Sequence, residues 1–204
     1  MYIPPAFVET RPEELHAIMR AASLPVLVSP TAATGLAATH LPLMLEAPDR
    51  LVGHMARANP HWREFDPHAE SLAIFTAVDG YVSPSWYATK AETGKVVPTW
   101  DYQAVHAHGR LEIIEDRAAL LDIVTRLTSR YESPRATPWA VSDAPEDYIQ
   151  AMLNGIVGVV LHITRLEGVA KLSQNKSLAD REGVIAGAEA ENPALAAAVR
   201  RTLD

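Results

Sequence analysis

The sequence predicts a mainly β, α+β fold: a barrel of six or seven short, mostly antiparallel strands with helical decorations. Three observations predict it. Short segments rich in Val, Leu, Ile and Thr are separated by Pro, Gly or Asp. No strand and helix alternation of the doubly wound kind runs through the chain. After Leu172 the composition shifts to Ala and Glu, which suits helices closing an otherwise β-rich domain.

The elements follow in order. Thr10-Arg11-Pro12-Glu13 carries a helix-start pattern, with Thr10 as N-cap and Glu13 completing a capping box, and the helix runs to about Ala22. Strand character then covers Pro25 to Ser29, Leu36 to Leu45, Arg50 to Met55 and Ser71 to Val78. A further strand runs from Thr99 to Glu112, with His106 and His108 on one face and Val105 and Ala107 on the other. Asp116 opens an amphipathic helix whose buried face is Leu120, Leu121, Ile123, Val124 and Leu127, ended by the Pro134 to Pro138 region. Glu146 to Leu153 forms another helix, and Val157 to Ile163 returns as a buried strand that continues toward Leu172. Two helices, about 177–189 and 194–202, complete the chain. The expected organisation is a barrel domain over 1–172 and a C-terminal helical segment over 173–204, packed on the barrel or on a dimer partner.

With 204 residues, 48% hydrophobic and 21% charged, the chain is of ordinary globular composition. A core of that size needs no metal or disulfide staple. Cysteine is absent, which excludes a thiolate nucleophile and a Cys-ligated zinc and fits a reducing cytoplasm. The N-terminus lacks a basic start and a long apolar stretch, and Gly155 to Ile163 is too short to span a bilayer, so a soluble cytoplasmic protein with no membrane partner is expected. A net charge of −7 opposes general affinity for nucleic acid. Nucleotide-binding glycine loops, the H-E-x-x-H helix and the G-x-S-x-G elbow do not occur.

Four polar-aromatic clusters remain as candidates for chemistry. In Gly53 to Trp62 a strand gives way to a loop and a short helix opening at Pro60. Small residues beside Arg57 would let an anion approach backbone N–H groups while its guanidinium grips two oxygens. Alternatively, Arg57 is a solvated loop residue and Asn59 caps the helix. Ser83 to Lys90 and Val97 to Tyr102 set Trp86, Tyr87, Trp100 and Tyr102 beside hydroxyls, an arrangement that can cover a planar ring; the same aromatics also suit a core with satisfied polar tips. Lys171 to Lys176 offers two cations and three neutral hydrogen-bonding groups, or else a helix start capped by Ser173 or Asn175. His106 and His108 lie close enough to share a metal, but no third ligand is evident, and no metal site is expected. His40 reads as a core histidine.

Together with the opening Met1 to Phe7 and the His40-Leu41-Pro42 segment, these blocks resemble the PaiB family, described as FMN-binding negative transcriptional regulators. The resemblance runs in order from residue 1 to about 188. It implies a split β-barrel with FMN as cofactor at the interface of a homodimer. It further implies that Arg57 meets the FMN phosphate, with His54, Met55 and Ala56 beside the cofactor and Ser83, Ser85, Trp86 and Tyr87 lining it. Thr99, Trp100, Gln174, Asn175 and Lys176 would close the site, and Lys90 or Lys176 would supply a second phosphate cation. The function implied is negative regulation of transcription through DNA or another regulatory protein, with a small FMN-dependent oxidoreductase or flavin reductase as the alternative. No catalytic acid or base announces itself.

Overall fold

The computed structural model describes residues 1–32 and 35–203. Its strands are β1 (Val8–Glu9), β2 (Val26–Thr31), β3 (Gly35–His40), β4 (Leu43–Ala47), β5 (Arg50–Ala56), β6 (Ser71–Val82), β7 (Thr99–Ile114) and β8 (Ile156–Lys171). The helices are α1 (Pro12–Ala21), α2 (His61–Glu64), α3 (Thr89–Thr93), α4 (Arg117–Glu132), α5 (Glu146–Leu153), α6 (Leu178–Glu191) and α7 (Pro193–Arg200). The strands hydrogen-bond in the order β3-β2-β6-β7-β8-β5-β4, with β1 added to β8. The sheet path therefore stays open at β3 and β4. Among the described residues no helix is long and apolar enough to cross a membrane.

The chain divides into two compact units, and β6, β7 and β8 each contribute a stretch to both. The unit formed by Ser23–Ile74 and Ala107–Leu166 holds four antiparallel ladders: β2 with β3, β2 with β6, β4 with β5, and β5 with β8. The segment predicted as one strand from Leu36 to Leu45 is two strands, parted at Leu41-Pro42. Pro42 has no N–H for a ladder, and the Leu41 N–H turns instead to the carbonyl of Pro25 at 3.2 Å. Asp116 caps α4 as predicted, accepting from the Ala119 N–H at 2.9 Å. Leu120, Ile123 and Leu127 form the buried face of that helix, and α4 packs on β5. Each fully buried side chain of this kind contributes roughly 1.5–3 kcal/mol.

The other unit comprises Met1–Ala22, Phe75–His106 and the chain from Glu167 to the C-terminus. Here β1 pairs with β8 through Val8 and Val169. Thr10 does not cap α1; the N-cap is Arg11, without a side-chain bond, because Arg11 is held by Glu9, which takes its N–H and its guanidinium at 2.6–3.0 Å. The predicted cap at Ser173 or Asn175 falls instead on Ser177, which accepts from the Asp180 N–H. Val82, Tyr87, Leu172, Val184, Ala188, Leu195 and Val199 make a continuous core, so the Ala-rich tail packs on the same unit as Val82 and Tyr87.

The contact between α6 and the Pro84–Trp86 turn depends on two glycines four residues apart. A Cβ built on Gly183 would stand 1.9 Å from the Trp86 carbonyl oxygen, and one on Gly187 would stand 2.3 Å from the Trp86 ring. The indole thus lies against a groove that only glycine leaves open. Gly183→Ala sets a helix-propensity gain of about 1 kcal/mol against overpacking onto backbone, which costs about 1–3 kcal/mol. Backbone cannot swing aside, so we expect net destabilisation and a melting temperature lowered by several degrees in thermal unfolding followed by circular dichroism. An unchanged or raised melting temperature would show that the helix does not rest on this turn.

Candidate functional site

In the unit that contains β5, backbone pairing sets the site. All of residues 50–56 pair with β8 and residues 50–53 pair also with β4: Gly53 stands opposite Leu43 of β4 and Val159 of β8, and His54, Met55 and Ala56 stand opposite Gly158, Val157 and Ile156 of β8. A Cβ at Gly53 would lie 2.5 Å from the Pro42 carbonyl, so glycine is what allows the β3–β4 junction to come this close. The result is a pocket of about 380 Å³, with Thr39, His40, Leu41 and Pro42 along one wall and His54, Met55 and Ala56 along another, closed by Asn59 and Ile156. His40 is exposed at this pocket and is not the core histidine expected. An outward-facing ring at the end of edge strand β3 has no core to enter.

One wall is braced by a small network. The Thr39 hydroxyl pairs with Nδ1 of His61 at 2.8 Å and accepts from Nδ2 of Asn59 at 3.1 Å, while Oδ1 of Asn59 accepts from the His61 N–H at 3.0 Å. Asn59 does orient the start of α2, and it also fixes β3 to that turn. His54 is different. It is half-buried, its Nδ1 is inaccessible and has no hydrogen-bond partner among the described residues, and burial lowers its pKa, so the imidazole is neutral at pH 7.

Arg57 follows directly at the end of β5. Its Nη1 donates to Glu115 at 2.6 Å and its Nε to the Asn154 carbonyl at 3.1 Å, which leaves Nη2 without a protein acceptor among the described residues. The Trp62 indole N–H donates to the Arg57 carbonyl at 2.9 Å, and the guanidinium lies 5.6 Å from the same ring. This arginine is neither a free loop cation nor a fully neutralised one.

The other unit gathers the remaining three clusters. Asp101 is fully buried, accepting from the Ser173 hydroxyl at 2.6 Å and from Lys171 Nζ at 3.3 Å. Burial raises the Asp101 pKa, opposed by these two donors. Lys171 also donates to the Thr99 hydroxyl at 2.6 Å and to the Trp100 carbonyl. Ser173 holds a left-handed φ of 59°, the only non-glycine positive φ among the described residues. Lys176 lies over the Tyr87 ring at 4.9 Å, and burial, with Asp101 and Asp180 adding, pushes the Tyr87 phenol up. Lys90 donates to Ser85 at 3.0 Å, and Ser83 caps the Pro84–Trp86 turn through the Ser85 N–H.

The structure therefore brings Tyr87, Thr99, Trp100 and Lys176 into one network, with Asp101, Lys171 and Ser173 at its centre. Ser83, Ser85 and Lys90 belong to the adjoining turn. Gln174 folds back on its own chain, accepting from the Leu172 N–H and donating to the Ala170 carbonyl, and Asn175 is exposed. Trp100 is 57% exposed and meets Tyr81 edge-on at a centroid distance of 6.3 Å. His54, Met55, Ala56 and Arg57 lie in the other unit. Thr39, Asn59 and Asp101 were not picked out as site residues, although a lone Asp inside an aromatic strand segment was a signal for a buried paired carboxylate.

These features suit a flavin mononucleotide. The 380 Å³ pocket is within the roughly 300–1,000 Å³ of small-molecule sites and sets apolar Leu41, Pro42, Met55, Ala56 and Ile156 beside two imidazoles, one hydroxyl and one amide. The half-engaged guanidinium of Arg57 stands next along the chain as a donor for a phosphate oxygen.

Comparison with known proteins agrees. A family model described as "Putative FMN-binding domain" matches residues 1–165. The protein named protease synthase and sporulation protein PAI 2, from Bacillus subtilis, is 33% identical over 188 residues, covering 91% of this chain and 87% of its own. Among solved structures, the flavocytochrome Anf3 of Azotobacter vinelandii superposes with a TM-score of 0.56 at 15% identity, over 80% of this chain and 68% of that one. The FAD and heme binding protein of Mycobacterium smegmatis does so with a TM-score of 0.55 at 17% identity, over 88% and 80%. At such identities these neighbours speak for the fold alone, α+β of the split-barrel type with its sheet path open. The chain belongs to the FMN-binding family that includes the Bacillus subtilis PAI 2 protein, the PaiB family, and FMN is its cofactor.

Proposed function

We propose that this protein is an FMN-binding regulator whose flavin-loaded state controls contact with another macromolecule, and that the FMN lies in the pocket between the β3–β4 junction and the end of β5. The observation that carries the cofactor site is Nδ1 of the neutral His54, without a partner among the described residues, in the wall of a pocket otherwise built from Thr39 to Pro42, Met55, Ala56, Asn59 and Ile156. The regulatory half draws on the relationship to the PAI 2 protein, whose name ties it to protease synthesis and sporulation. With a net charge of −7, a protein partner is favoured over direct contact with DNA, which would need a local basic face. A chain without cysteine suits the reducing cytoplasm in which such a regulator would act.

The chain's own residues bind and orient. Arg57 holds a phosphate oxygen through Nη2, His54 offers an uncharged ring nitrogen to the cofactor, and Met55 and Ala56 supply apolar contact. Ser83, Ser85, Trp86, Tyr87, Lys90, Thr99, Trp100 and Gln174 to Lys176 are assigned to the same cofactor in a homodimer, on the family resemblance. FMN, once bound, supplies reversible one- and two-electron redox chemistry. An FMN-dependent oxidoreductase is the second reading, supported by the neutral imidazole of His54, which could accept a hydrogen bond from a substrate beside the flavin. NADH added in the absence and then in the presence of oxygen separates the two: flavin bleached anaerobically, then reoxidised by oxygen with sustained NADH consumption over many turnovers, favours the enzyme.

Arg57→Gln should weaken FMN binding about ten- to hundredfold, by the loss of a charge-assisted bond to phosphate. Quenching of flavin fluorescence during titration measures it. Unchanged affinity would move the phosphate to Lys90 or Lys176.

A homodimer should give a light-scattering mass of twice 22.2 kDa. A monomer at micromolar concentration would remove the shared site from the account.

A further inference from the structure

We propose that a second pocket, walled by α4, α5 and the segment around Trp139, binds a small uncharged bicyclic aromatic molecule. It has a volume of about 300 Å³ and shares two of its wall residues, His54 and Ile156, with the pocket described above. Its place beside the flavin rests on the cofactor reading; its own chemistry does not.

Three large apolar side chains stand exposed at this pocket: Trp139, Tyr148 and Met152, at 48%, 56% and 51%. Two flat rings and a polarisable thioether make a surface suited to stacking an aromatic ligand. The polar groups along it are the Thr128 and Tyr148 hydroxyls, the Trp139 indole N–H and His54, and none of the lining side chains is an acid, a lysine or an arginine. A charged ligand would lose hydration there with no counter-charge to replace it, whereas a neutral ring with one hydroxyl or carbonyl would not. The volume lies at the lower end of small-molecule sites, which limits the occupant to about two fused rings. Continuity with the first pocket through His54 and Ile156 favours a small molecule over a second copy of the chain.

The test is isothermal titration calorimetry of the full chain, with and without FMN, using 2-naphthol and naphthalene-2-sulfonate as probes. The proposal expects 2-naphthol to bind one per chain and the sulfonate to bind at least tenfold more weakly. Trp139→Ala should weaken 2-naphthol at least tenfold while FMN affinity and the circular dichroism melt stay as in the wild type; Tyr148→Ala should do the same. No binding of 2-naphthol, equal binding of the sulfonate, or affinity untouched by both substitutions would overturn it. So would loss of the dimer in Trp139→Ala with no 2-naphthol binding in the wild type, which would assign the surface to a second copy. The parallel FMN titration keeps the two readings apart. Binding of 2-naphthol without FMN binding upholds this pocket and sinks the flavin site, and FMN binding without 2-naphthol does the reverse.

Discussion

The double pairing of β5 is the constraint on which the site depends. With β8 along all seven residues and β4 along residues 50–53, the strand has no freedom of register, because a slip by one residue would exchange the face that carries Leu51 and Met55 with the face that carries Val52 and His54. Gly53 adds a second lock by admitting the Pro42 carbonyl where any side chain would collide. Once this strand is fixed, the positions of His54, Ala56 and the start of Arg57 follow.

That placement has an energetic consequence at His54. A buried ring nitrogen with no partner costs on the order of 1–3 kcal/mol, and the sheet tolerates it at a residue that borders two pockets. Asp101 is satisfied by Ser173 and Lys171, and Asp180 by both the N–H and the hydroxyl of Thr89, whereas Nε2 of His61 and Nε of Arg181 are, like Nδ1 of His54, buried without a partner among the described residues. Of these three, His54 is the one that lines the two pockets, which makes it the place where a ligand would complete a hydrogen bond.

Much of the fold was legible in the sequence because hydrophobic period and capping chemistry agreed. Asp116 marks α4 and Pro145 precedes α5, and both helices stand where their patterns put them. Leu36 to Leu45 reads as one strand because apolar continuity hides the effect of Pro42, and Thr10 reads as the α1 cap because the pattern does not show Glu9, outside the helix, holding Arg11. The site was legible less evenly. Residues 54–57 and 171–176 showed their polar and cationic character, but contacts between positions far apart, such as Asp101 with Ser173 or Thr39 with Asn59, leave no trace in local spacing. Nor does composition reveal that Gly183 and Gly187 serve an indole more than ninety residues away.

An NMR titration of the chain carrying ¹⁵N-labelled histidine measures directly whether FMN lies against His40 and His54. Of the eight histidines, His40 and His54 line the pocket assigned to FMN, whereas His16 and His68 do not. Saturating FMN should move the ring resonances of His40 and His54, with His54 remaining neutral through pH 7, and leave those of His16 and His68 in place. Bound flavin with His40 and His54 unmoved would place the cofactor elsewhere and contradict the account.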